Sequence, residues 1–391
     1  MQLYFHIGDH KTGSTSIQHA LYHRLWECEG VELAYPNKRS DASLARSFFV
    51  PARRKDREPM FKARADWLSS TKADVAVISA EHFSQVRPEV LCRYIQRLMP
   101  QHADTVRILA YVRPHAGSLL SNYTQRIKSG TASQSLDTYA DMVMEGDKFD
   151  YAPRFLAWRR EFGDRLIVRP MIRAELLDGD VVKDFFREVL GGAAFRLRDM
   201  PQTNESAEVN ELALLEYIQR FLQKRDLPPK IGVGLGAALA SGLAGSREGR
   251  SMGGRVQIHR ELAERLAERY MNDARQMDKA FFGGRELLAS ALAAAADDCP
   301  AEQQVYDLRQ RFDDRDRADL NRAIAELVSR VREFGPMWQS VYRADLGHAL
   351  RSNGKRPDPG DQKVREQARD VDAAIAAVVT AGVGLYHPSP T

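Results

Sequence analysis

Leu3-Tyr4-Phe5-His6-Ile7-Gly8-Asp9-His10-Lys11-Thr12-Gly13-Ser14-Thr15-Ser16-Ile17 changes from apolar run to glycine-bounded loop to helical pattern within fifteen residues. A short apolar run ends at Ile7, a polar turn is bounded by Gly8 and Gly13, and apolar residues then recur at helical spacing at Ile17, Leu21 and Leu25. That order is strand, loop and a helix expected over Ser14 to Trp26. A loop joining a buried strand to a helix N-terminus offers backbone N–H groups and the positive end of the helix to an anion. An ATP- or GTP-binding loop would place its lysine directly after the second glycine. Here Ser14 follows Gly13 and the lysine stands earlier, at Lys11. The plainer alternative is a glycine turn with Ser14 as helix cap and Lys11 in solvent.

Working outward, Asp74 to Ser79, Val106 to Val112 and Arg165 to Arg169 read as further strands, with helical patterns over Pro88 to Met99 and Gly117 to Lys128. The strands at 74 and 106 are near-continuous apolar runs, as expected of a parallel sheet buried on both faces. Alternating strand and helix predicts an α/β layer fold. Beyond Val209 helical patterns dominate, broken by the glycine-rich stretch Gly232 to Gly254 and again at Gly283-Gly284. The expected organisation is therefore a main domain over 1–283, a linker over 284–300 and a charged helical C-terminal extension over 301–391, itself interrupted at Arg356-Pro357-Asp358-Pro359-Gly360.

Composition narrows the class. With 391 residues and 43% hydrophobic content the chain can bury a full core, and 57 basic against 53 acidic residues call for neither nucleic acid nor a charged membrane surface. Three widely separated cysteines, Cys28, Cys92 and Cys299, suit neither a disulfide framework nor a zinc site. A start without a basic leader and apolar core, and the absence of a run of about 20 apolar residues, predict a cytoplasmic protein with no membrane span.

A second motif follows the strand ending at Val112: Arg113-Pro114-His115-Ala116-Gly117-Ser118-Leu119-Leu120-Ser121-Asn122-Tyr123-Thr124-Gln125. Lys11-Thr12-Gly13-Ser14-Thr15-Ser16 resembles the 5′-phosphosulfate loop of sulfotransferases that use 3′-phosphoadenosine 5′-phosphosulfate (PAPS). Arg113 and Ser121, eight positions apart, resemble that family's 3′-phosphate motif. Leu120 to Gln125 looks most like the carbohydrate and heparan-type members. Weaker likeness continues through Asp180 to Phe186 and Asn204-Glu205-Ser206, so that roughly Met1 to Phe282 is covered.

The resemblance implies a P-loop-type parallel sheet flanked by helices, PAPS as co-substrate and a hydroxyl acceptor, expected to be a saccharide or glycoconjugate. It implies that Lys11 neutralises the leaving phosphate, that Thr12, Gly13, Ser14 and Thr15 form the cradle, and that Arg113 and Ser121 hold the 3′-phosphate. No metal is called for. Transfer also needs a base. Ser79-Ala80-Glu81-His82-Phe83, at the expected C-terminal end of a strand, supplies Glu81 first and His82 second, with a buried glutamate poised near neutral pH fitting the task. His10 is a third candidate, and Lys128 and Tyr151 are acceptor-side candidates. Arg247, Arg250 or Arg255, in a glycine- and arginine-rich stretch, are candidates for a lid contact. Two other readings stand beside this one. A P-loop kinase for a small molecule would need a lysine where Ser14 stands. A non-catalytic nucleotide-binding or scaffold protein would act, or self-associate, through helices such as Leu320 to Val331.

Overall fold

A computed structural model describes residues 1–131, 134–199, 208–223, 227, 229–246, 251–334 and 362–387. They form two compact units: Met1–Ser118, Met144–Gln202 and Ala263–Asp297 make the first, while Leu119–Val143, Thr203–Leu262 and Asp298–Thr391 make the second. The chain passes back and forth between them, so neither corresponds to a single stretch of sequence.

The first unit is α/β. Its main sheet has five strands: β1 (Gln2–Gly8), β3 (Leu33–Ala34), β4 (Val75–Ser79), β5 (Arg107–Val112) and β6 (Leu166–Pro170). Their spatial order is β3-β4-β1-β5-β6 and every pairing is parallel, with Phe5 opposite Ile78 and Ile108. Side chains alternate across a strand. Tyr4 enters a core with Ile17, Val77, Leu109, Tyr111 and Phe185 on one face, while Phe5 meets Phe61 and Phe83 on the other. Both faces are thus covered by helices, which explains the unbroken apolar runs. A second, antiparallel pair joins β2 (Trp26–Cys28) to β7 (Phe195–Leu197).

The expected helix after the loop is shorter than its periodicity suggested. It spans Ser14–Tyr22, and Arg24 turns into the left-handed region at φ 52. Trp26 leaves the helix for β2, its ring 5.4 Å from that of Phe186. A tertiary contact has overridden the local pattern.

The second unit is helical. The helix Val209–Gln223 is buried over most of its surface, and the long helices Ala318–Phe334 and Gln362–Tyr386 bury apolar stripes that include Leu320, Ile324, Val371 and Val378. The glycine-rich stretch is a correction to the sequence reading, because its first part is not a break but the helix Pro229–Gly245. The glycines give close approach. A Cβ at Gly236 would come within 2.3 Å of Gln219 Nε2 and 2.9 Å of the Gly130 and Lys128 backbone, and one at Gly242 within 2.8 Å of Val379. Leu287–Asp297, within the stretch expected to be a linker, is also helical. Among the described residues no helix is long and apolar enough to cross a membrane.

Candidate active site

Because β4, β1 and β5 are adjacent and parallel, the segments leaving their carboxyl ends emerge side by side: Glu81-His82 after β4, the Gly8–Gly13 loop after β1, and Arg113 after β5. The connection that leaves β1 leads to β3 on one side, and the one that leaves its neighbour β5 leads to β6 on the other. That makes the crevice between the carboxyl ends of β1 and β5 the switch point where open α/β sheets bind ligands.

The loop is built from backbone. Asp9 N donates to Tyr111 O at 2.9 Å, fixing its start against β5. Lys11 at φ 63 and Gly13 at φ 80 are both left-handed, the alternation that curls successive N–H groups into an anion-binding nest. Gly13 has a second constraint, since a Cβ there would lie 2.5 Å from Val181 Cγ1. Thr12 Oγ1 and Ser14 Oγ both donate to Asp9 O, at 2.7 and 3.4 Å, so the two hydroxyls brace the loop from beneath. Ser14 does not cap the helix, and its N-terminus has no side-chain cap. Among the described residues the N–H groups of Thr12, Gly13, Ser14 and Thr15 have no acceptor.

A carboxylate in such a loop is electrostatically out of place, and the structure compensates it. Arg154, from the helix Tyr151–Phe162, reaches Asp9 through both terminal guanidinium nitrogens, while Asp9 Oδ1 also accepts from His10 N at 2.8 Å. Burial would raise the Asp9 carboxyl, but the Arg154 charge and hydrogen bonds hold it below the usual range. The sequence alone did not expose this pair, whose members are 145 positions apart. Asp9 was the one available signal.

On the β4 side, Glu81 lies against the loop. A Cβ on Gly8, already at φ 98, would come within 3.0 Å of Glu81 Cα. Gln18 Nε2 donates to Glu81 Oε2 at 3.2 Å and to Ser79 Oγ at 3.2 Å, and Ser79 Oγ also meets the buried His6 Nδ1 at 2.8 Å. His82 Nδ1 is 3.6 Å from Glu81 Oε1, and the His10 and His82 rings are 5.2 Å apart, edge to face. Burial raises the Glu81 carboxyl, yet its own backbone N–H, His82, Gln18 and His10 together outweigh burial and leave it below the ordinary glutamate value. It is therefore not poised near neutrality, as the sequence reading expected. It is a carboxylate at neutral pH. The pKa values of His10 and His82 are lowered too, chiefly by burial, which keeps both rings neutral there.

Beyond β5, Arg113 lays its stem over Gly117, whose added Cβ would be 3.5 Å from Arg113 Cγ and Cδ. Its NH2 lies 3.9 Å from the Met171 sulfur, and among the described residues it forms no ion pair. Burial lowers its pKa, although a guanidinium keeps its charge at any working pH. Its backbone carbonyl accepts from Ser118 Oγ, which in turn accepts from the fully buried Tyr151 hydroxyl at 2.8 Å. Tyr151 is thereby a core residue and not an acceptor-side group. Behind it, Asp273 accepts from Tyr151 N, Ala152 N and His115 Nε2 at 2.8 to 3.1 Å.

Ser121 and Lys128 lie further along the helix His115–Lys128, on the part that belongs to the second unit, where Lys128 Nζ is 3.9 Å from Glu211 Oε1. Asn204-Glu205-Ser206, Arg247 and Arg250 fall outside the described residues, and the backbone of Arg255 pairs with that of Glu208 in an isolated antiparallel β-bridge within the second unit. A groove of about 910 Å³ opens at the opposite, amino edge of β4, lined by Trp26, Cys28, Lys72 and Phe195 among others, away from these segments. Among the described residues there is no group of three or more His, Cys, Asp or Glu placed to hold a metal. Compared with protein-family models, with curated proteins and with solved structures, the chain finds no match in any of the three.

Proposed function

We propose that the protein is a PAPS-dependent sulfotransferase with a P-loop-type sheet, acting on a hydroxyl that the motif resemblance assigns to a saccharide or glycoconjugate. The observation that carries this reading is the convergence, at the carboxyl ends of three adjacent strands, of four loop N–H groups and an arginine that have, among the described residues, no acceptor and no carboxylate partner respectively, with an ionised glutamate beside them. In this reading the N–H nest of residues 12–15 holds the 5′-phosphosulfate and Arg113 the 3′-phosphate. The acceptor oxygen attacks sulfur while Glu81 takes its proton. The bond from sulfur to the bridging oxygen breaks, and Lys11 neutralises the 3′-phosphoadenosine 5′-phosphate that departs. The role given to Ser121 rests on the resemblance. A kinase loop is disfavoured by Ser14, which stands where that loop's lysine belongs and is 5% exposed beneath the loop.

Calorimetric titration with 3′-phosphoadenosine 5′-phosphate, run beside ATP with magnesium, tests the reading without needing the acceptor. Lys11→Ala and Arg113→Ala are expected to weaken the bisphosphate at least tenfold each, about 1.4 kcal/mol. Stronger binding of ATP, or binding of neither nucleotide, would refute the assignment.

A further inference from the structure

Two groups at the end of β4 compete for the part of base, and a third residue decides between them. Arg46, on the helix Ala42–Ser47, places NH2 at 3.0 Å from His82 Nε2. A guanidinium carries donors only. The ring nitrogen facing it must therefore present a lone pair, and the ring proton of neutral His82 must sit on Nδ1. That atom is buried, without a hydrogen-bond partner among the described residues, and 3.6 Å from Glu81 Oε1. The other charged or titratable groups around this ring are Glu81 on its own turn and His10 from the β1 loop. Arg46 and His10 add to burial in opposing a positive charge on His82, against the pull of Glu81.

We infer that Arg46 is a positioning residue that holds His82 as the neutral Nδ1–H tautomer, with its lone pair occupied and its proton toward Glu81, leaving Glu81 as the proton acceptor of this corner. The inference deepens the sulfotransferase reading by separating the roles of Glu81 and His82. The tautomer itself follows from local geometry whatever nucleotide is bound. Arg46 is exposed, so replacing it leaves the core untouched.

Long-range proton–nitrogen correlation on histidine-labelled protein reads the tautomer directly. Wild type is expected to carry the His82 proton on Nδ1 and to titrate below the ordinary value of about 6.5. In Arg46→Met the ring is expected to move toward the Nε2–H form, with its midpoint rising toward that value. A wild-type ring protonated on Nε2, or an Arg46→Met spectrum with unchanged tautomer and midpoint, would overturn the inference. Bisphosphate binding, measured on the same samples, reports separately on the nucleotide reading, so failure of one is not mistaken for failure of the other.

Discussion

Removing Arg154 while keeping Asp9 should damage the loop through charge rather than through packing. In Arg154→Met much of the aliphatic stem is kept, while the guanidinium is lost from over the Tyr151 and Phe155 rings and the Asp9 carboxylate loses its cation. Breaking a fully buried ion pair from one side costs about 3–5 kcal/mol. Here the Asp9 and Arg154 side chains are 13% and 25% exposed, so water recovers part of that and a loss of about 2–3 kcal/mol is expected. Ligand binding should suffer as well. A carboxylate about 7 Å from a phosphate charge, at an effective dielectric of about 40, repels it by roughly 1 kcal/mol, which gives a five- to tenfold loss of bisphosphate affinity for each phosphate charge at that distance. The assay is a double-mutant cycle over wild type, Asp9→Asn, Arg154→Met and the double variant, measured by urea unfolding and by bisphosphate titration. The double variant should recover most of both losses, because no bare charge remains. Should it prove as unstable and as weak a binder as Arg154→Met alone, Arg154 is a spacer and the charge argument fails.

Other outcomes follow from the same geometry. Gly13→Ala must adopt φ 80 and push Val181 Cγ1 from 2.5 Å, so a loss of at least about 1–3 kcal/mol is expected in thermal unfolding, only partly relieved by adding Val181→Ala. In the helix Pro229–Gly245, Gly236→Ala should destabilise through its backbone contacts at 2.9 Å, whereas at Gly232, where a Cβ meets nothing within 4 Å, alanine should stabilise by about 0.5–1 kcal/mol. Equal effects at these two sites in chemical unfolding would contradict the close packing inferred for Gly236. Buried His6 is pushed down to about 4, chiefly by burial. Its neutral form thus stabilises the fold fully above about pH 6.5, and that contribution, about 3 kcal/mol, is lost as pH falls toward 4. His6→Leu should flatten this part of the stability profile, and an unchanged acid limb would show that His6 is not its source.

How far the sequence could be read depended on whether a signal was local. β1, β4 and β5 were legible because a strand buried on both faces writes itself as a run such as Val75-Ala76-Val77-Ile78. The Gly8–Gly13 loop was legible because its glycines and lysine are neighbours in the chain. Trp26 misled because its partner, Phe186, is 160 positions away, and the glycines of Pro229–Gly245 misled because a close-packed helix and a flexible loop share a composition. Arg46, Gln18 and Arg154 were missed for the same reason as Trp26. Each acts on a residue distant in sequence, and nothing in its own neighbourhood marks it.

The contact between Gly8 and the Glu81 backbone carries a consequence for how such a site could be re-engineered. The distance between the anion nest and the glutamate is set by main chain pressed on main chain, like two marks on one ruler, and not by adjustable side chains. A change at the exposed Arg46, on the helix Ala42–Ser47, would alter what stands beside His82 and Glu81 without moving that ruler. Any side chain introduced at Gly8 would lengthen it, and would disturb both ends of the site at once.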